Sequence, residues 1–143
     1  MFSKNKRAIS SALFFVITGF VLQATAFAAE SNAKVFIVSP KDGAVVSSPV
    51  KVVFGIKGMK VAPAGINKPN TGHHHLLIDA GPLASMTKPI PKDAHHMHFG
   101  KGQTETMLKL APGKHTLQLV LGDYKHVPVG PALVSKKITI EVK

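Results

Sequence analysis

The sequence predicts an all-β domain, a small immunoglobulin-like or fibronectin-type β-sandwich of six to seven strands, preceded by a signal peptide. Three observations predict it. Short apolar stretches are separated again and again by Gly, Pro and Asp. Inside those stretches apolar and polar residues alternate with a period of two, as they do along half-buried strands. Beyond residue 28, no stretch carries apolar residues at i, i+3, i+4 and i+7 without a proline breaking it.

The elements follow in chain order. Lys4, Lys6 and Arg7 form a basic n-region, Ala8 to Leu22 is apolar, and Ala26-Phe27-Ala28 offers small residues at the two positions a signal peptidase reads. Residues 1–28 are therefore expected to be cleaved, leaving 29–143 as a single domain. The chain has no cysteine, which excludes disulfides and lipoprotein attachment. The expected location is periplasmic or secreted, with no membrane insertion once the leader is gone.

Strand A is expected at Lys34–Val38, followed by the turn Pro40-Lys41-Asp42-Gly43. Strand B starts at Pro49, with Val50, Val52, Phe54 and Ile56 on one face. A loop over 58–72 leads to strand C at His73–Asp79, where His74, Leu76 and Ile78 share a face. A long irregular segment over 80–102 precedes strand E at Thr104–Leu110. Pro112-Gly113 turns the chain into strand F at Lys114–Leu121, with Leu117, Leu119 and Leu121 facing inward. After a loop over 122–131, strand G occupies Leu133–Val142. Ser39-Pro40-x-Asp42-Gly43 with Pro49-Val50-x-Val52, and Pro112-Gly113-x-His115-x-Leu117, resemble the A–B and E–F regions of bacterial immunoglobulin-like modules.

Charge narrows the partners. Three of the 18 lysines and arginines lie in the leader, so residues 29–143 carry +8. A basic balance favours anionic partners. The lysines are scattered, however, and Tyr124 is the only tyrosine, with no tryptophan, so there is no stacking platform for nucleic acid. Nucleic acid is excluded as a partner, and a monomer is expected.

The eight histidines carry the chemistry. His73-His74-His75 opens strand C, His95-His96-Met97-His98 precedes strand E, His126 lies in the F–G loop, and His115 stands alone. In an up-and-down sandwich, the first three groups converge at one pole and His115 falls at the other. Neutral imidazole is the commonest nitrogen ligand for zinc and copper. Residues i and i+2 of an extended chain point the same way, pairing His73 with His75 and His96 with His98. The expected metal ligands are His73, His75, His96, His98 and His126. Met86 and Met97 offer thioethers suited to Cu(I), and Glu105 and Asp123 are candidates to orient the rings. His74 and His115 are expected to be hydrogen-bonded structural residues.

The reading is a non-catalytic, exported, His-rich module that carries or buffers copper or zinc, with another periplasmic protein as a further partner. The alternative is a protein- or glycan-interaction module whose histidines are structural. A copper-dependent redox enzyme of the superoxide-dismutase kind is a minor alternative, since paired cysteines are absent. No nucleophile–base–acid arrangement is evident.

Pro69-Asn70-Thr71-Gly72-His73-His74-His75-Leu76-Leu77-Ile78-Asp79, His98-Phe99-Gly100-Lys101-Gly102-Gln103-Thr104-Glu105, Pro112-Gly113-Lys114-His115-Thr116-Leu117-Gln118-Leu119 and Gly122-Asp123-x-x-His126-x-Pro128 together resemble the bacterial exported domain known as domain of unknown function 4399. That resemblance implies a small exported domain and assigns no residue a role. A looser likeness is to periplasmic copper-resistance proteins of the copper-carrier type. The chain departs from them in having no histidine at the expected mature N-terminus.

Overall fold

The computed structural model describes residues 32–143. The expected leader lies outside them. Nine strands form two sheets: β1 (Lys34–Ser39), β2 (Val45–Val46), β3 (Val50–Lys57), β4 (Lys60–Val61), β5 (Thr71–Ile78), β6 (His96–His98), β7 (Glu105–Leu108), β8 (Gly113–Gly122) and β9 (Ile138–Val142). A single 3-10 turn, Pro131–Leu133, precedes β9. The all-β expectation holds among the described residues.

The smaller sheet has the order β1-β3-β7 and is antiparallel throughout. The larger runs β2-β9-β8-β5-β4, with β6 also pairing with β5. Strands A, B, C, E and F of the sequence reading correspond to β1, β3, β5, β7 and β8. Strand G is shorter than expected: Leu133 falls in the 3-10 turn, Val134 makes only an isolated bridge to Val120, and the strand proper begins at Ile138. Three further strands were not expected. Two are two-residue pieces, β2 and β4, running parallel to β9 and β5. The third, β6, lies inside the segment 80–102 that reads as irregular.

The period of two sets which residues meet. Val50, Val52 and Phe54 of β3, Leu76 and Ile78 of β5, Leu117, Leu119 and Leu121 of β8, and Ile138, Ile140 and Val142 of β9 join one apolar cluster drawn from both sheets. The opposite face of the larger sheet is covered as well. There Leu77 and Val120 are buried with Ile90, and Ala80, Leu83 and Val134 pack around them. A strand covered on both faces loses the alternation of burial, and β5 is buried from Gly72 to Ile78.

Candidate metal centre

β5 is the floor of the site. Its alternation sends His74 into the main core and His73 and His75 to the outer face of the larger sheet, in line with Leu77. All three histidines are fully buried. β8 runs antiparallel alongside, with His73 opposite Gly122 and His75 opposite Val120. On the other side, β6 places His98 opposite His75. His126 comes from the loop closing β8, where Asp123 organises the turn. The Asp123 carboxylate accepts the N–H groups of Lys125 and Val127 at 2.8 and 2.9 Å, and its carbonyl accepts the N–H of His126 at 2.9 Å. The turn holds His126 at φ 69°, a left-handed conformation uncommon for a residue with a side chain.

Four rings therefore meet. His73 has its ring centre 4.8 Å from that of His75, 4.9 Å from His98 and 4.9 Å from His126, and His98 and His126 are 4.7 Å apart. His73, His98 and His126 each offer a nitrogen, and these atoms lie within 4.8 Å of one another. Tetrahedral zinc with Zn–N of about 2.0–2.1 Å separates its ligand nitrogens by about 3.3 Å, so small ring movements close the set.

Glycines make the crowding possible. A Cβ on Gly122 would stand 2.9 Å from His75 Nε2, and one on Gly100 would strike the His98 ring at 2.3 Å. Each glycine leaves the volume that an imidazole fills. The sequence shows Gly100 two residues from His98, but glycines near turns are too common to single out, and the pairing of Gly122 with His73 emerges only from the strand register.

The site is short of hydrogen-bond partners. His73 Nε2 and His75 Nε2 are 3.0 Å apart, so one ring donates and the other accepts. Among the described residues, His73 Nδ1, His75 Nδ1 and His98 Nε2 are buried with no partner. Native interiors leave few such atoms, so a cluster of them singles out a place where lone pairs stand available to a ligand. Burial is the main cause that pushes His73 down to about 4 and His75 to about 3, and the neighbouring imidazoles add to it. His98 is lowered for the same reasons, with the Lys92 charge contributing. The shifted rings are neutral at pH 7 and keep lone pairs for a cation.

The structure sorts the expected ligands. It brings together His73, His75, His98 and His126, and leaves His96 outside the cluster. His96 stands opposite Leu77, further along β5, and its Nδ1 meets the Asp93 carboxylate at 2.8 Å. His95 turns to the Ile78 carbonyl at 2.8 Å. The cluster lies on the outer face of the larger sheet, near the end where β5 begins and β8 closes, with β6 alongside β5 and the residues before β6 covering that face. Met97 packs into the main core and Met86 lines a different cleft, so neither thioether reaches the histidines. Glu105 pairs with Lys51 at 3.2 Å on the smaller sheet. Asp123 is close enough for its charge to act on His73.

Two histidines outside the cluster behave differently from each other. His115 Nδ1 donates to Asp79 at 2.7 Å and its Nε2 to the Ala111 carbonyl at 2.8 Å, so it is structural, as expected. His74 packs against Phe54 at a ring separation of 5.2 Å, but neither of its nitrogens has a partner among the described residues. It is a structural residue without the expected hydrogen bonds.

No helix among the described residues is long and apolar enough to cross a membrane. No curated protein and no solved structure matches the chain. The family model described as domain of unknown function (DUF4399) matches residues 52–143, a span that contains every histidine of the cluster, and the chain belongs to that family.

Proposed function

We propose that this protein is an exported metal-binding module that holds one divalent transition-metal ion, zinc or copper(II), on His73, His98 and His126. The observation that carries the reading is the convergence of three imidazole nitrogens within 4.8 Å in a neighbourhood of buried, unpartnered ring nitrogens. An all-imidazole donor set suits zinc and copper(II), and Met97 and Met86, turned to the main core and to another cleft, offer no thioether for copper(I). His75, its Nε2 against His73 Nε2, is the hydrogen-bond partner that fixes a ligand ring. Export rests on the leader read in residues 1–28, and the function is carriage or buffering without catalysis.

Calorimetric titration of the protein with Zn(II) and Cu(II), with His98→Ala and His126→Ala beside it, tests the reading. One equivalent bound tightly by the wild type, and weakened at least about 100-fold in each variant, supports it. Weak binding without a stoichiometric endpoint, unchanged by the variants, refutes it.

A further inference from the structure

The rings do not close the site on every side. His73 and His75 are buried, the latter at the floor of a cleft, whereas His98 and His126 are half-buried. They face a cleft of about 310 Å³ lined by His75, Pro89, Ile90, Lys92, His98 and His126. That volume lies at the lower end of the range for small-molecule pockets. Three of its six lining residues are rings of the cluster, two are apolar, and the last is an ammonium. Among the described residues no carboxylate lines it. The wall is held against the site, since the Ile90 N–H donates to the His126 carbonyl at 2.9 Å.

We infer that this cleft is a second binding site, for a small anion with an apolar body such as a short carboxylate, which completes the metal's coordination shell. The inference rests on the metal-binding reading above. Three nitrogens leave a four-coordinate ion with one position to fill, the arrangement of sites that exchange ligands instead of closed structural ones. The cleft adjoins that ion, so its occupant supplies the fourth donor. Lys92 selects the charge of the donor, acting as a point charge at the rim, and Pro89 and Ile90 accept the apolar remainder. The module then holds its metal as a ternary complex, and release of the small anion opens the shell for transfer.

Cobalt(II) reports this directly, because its visible spectrum changes when a ligand enters its shell. Protein expressed from the full 143-residue sequence is loaded with one equivalent of Co(II) and titrated with sodium acetate, then with thiocyanate. The inference expects saturable spectral changes with both anions. In Lys92→Gln it expects anion affinity about threefold weaker, with Co(II) affinity unchanged. Lys92 is exposed, so this variant keeps the fold. A stoichiometric Co(II) complex whose spectrum ignores both anions overturns the inference and leaves the metal site standing. Anion binding that is equally strong in Lys92→Gln overturns the placement of the anion in this cleft. Failure to bind Co(II), Zn(II) or Cu(II) at all overturns both readings.

Discussion

Mild acid is predicted to destabilise the metal-free domain strongly, and the loss is set by three consecutive histidines. His73 and His74 are pushed down to about 4 and His75 to about 3, in each case chiefly by burial. In the unfolded chain each returns to an ordinary value of about 6.5. Between about pH 6.5 and those lowered values the unfolded state binds more protons, so stability falls as pH falls. From pH 7 to about pH 5 each residue then costs about 2 kcal/mol, and the three together about 6 kcal/mol. A domain of this size has only about 5–15 kcal/mol to lose. The assay is urea unfolding followed by circular dichroism in the presence of a chelator, at pH 7 and at about pH 5. His74→Leu adds a control. It replaces an unpartnered buried imidazole by an apolar side chain, which is neutral or stabilising at pH 7. It also removes about a third of the acid loss. Stability that is the same at both pH values, in the wild type and the variant alike, would refute the reasoning.

The other predictions concern individual residues. His96→Ala is expected to leave zinc affinity within about twofold, because its ring is engaged with Asp93 outside the cluster, while His73→Ala loses at least about 100-fold by calorimetry. Gly122→Ala is expected to cost about 1–3 kcal/mol in chemical denaturation and to weaken metal binding, since the new methyl stands 2.9 Å from His75 Nε2. His115 titrates in the opposite sense from the buried histidines. Its value is raised, first by the Asp79 hydrogen bond, and both its nitrogens donate. Its contribution is full below about pH 6.5 and is lost as pH rises through the raised value. His115→Gln should therefore lower the urea midpoint at about pH 6 more than at about pH 9, and an equal drop at both would contradict the assignment.

Much of the fold can be read from the period of two. Val50, Val52 and Phe54, and Leu117, Leu119 and Leu121, announce their strands and their inward faces without help from the rest of the chain. β2 and β4 carry no such pattern, because two residues cannot show a period and their pairing is imposed by β9 and β5. β6 is hidden for another reason. His96-Met97-His98 has one apolar residue, and it becomes a strand only because the edge of β5 is open to it. The site shows the same division. Extended geometry is enough to put His73 and His75 together and to send His74 the other way. The sequence also suggests His96 with His98, which do point the same way along β6. Antiparallel register then carries His96 two residues further from His73, opposite Leu77. The outer-face location depends on Leu83 and Ile90 covering Leu77 and Val120, a contact between residues with no common spacing. The ring of His126 arrives through a turn built by Asp123, which reads in sequence only as an ordinary loop.

The most direct test of the central claim is X-ray absorption spectroscopy of the protein loaded with one equivalent of zinc, with His126→Ala measured in parallel. The account predicts a four-coordinate shell containing three imidazoles, with Zn–N of about 2.0–2.1 Å, and two imidazoles in the variant. A shell of oxygens with no imidazole scattering, or an imidazole count that the variant leaves unchanged, would contradict it.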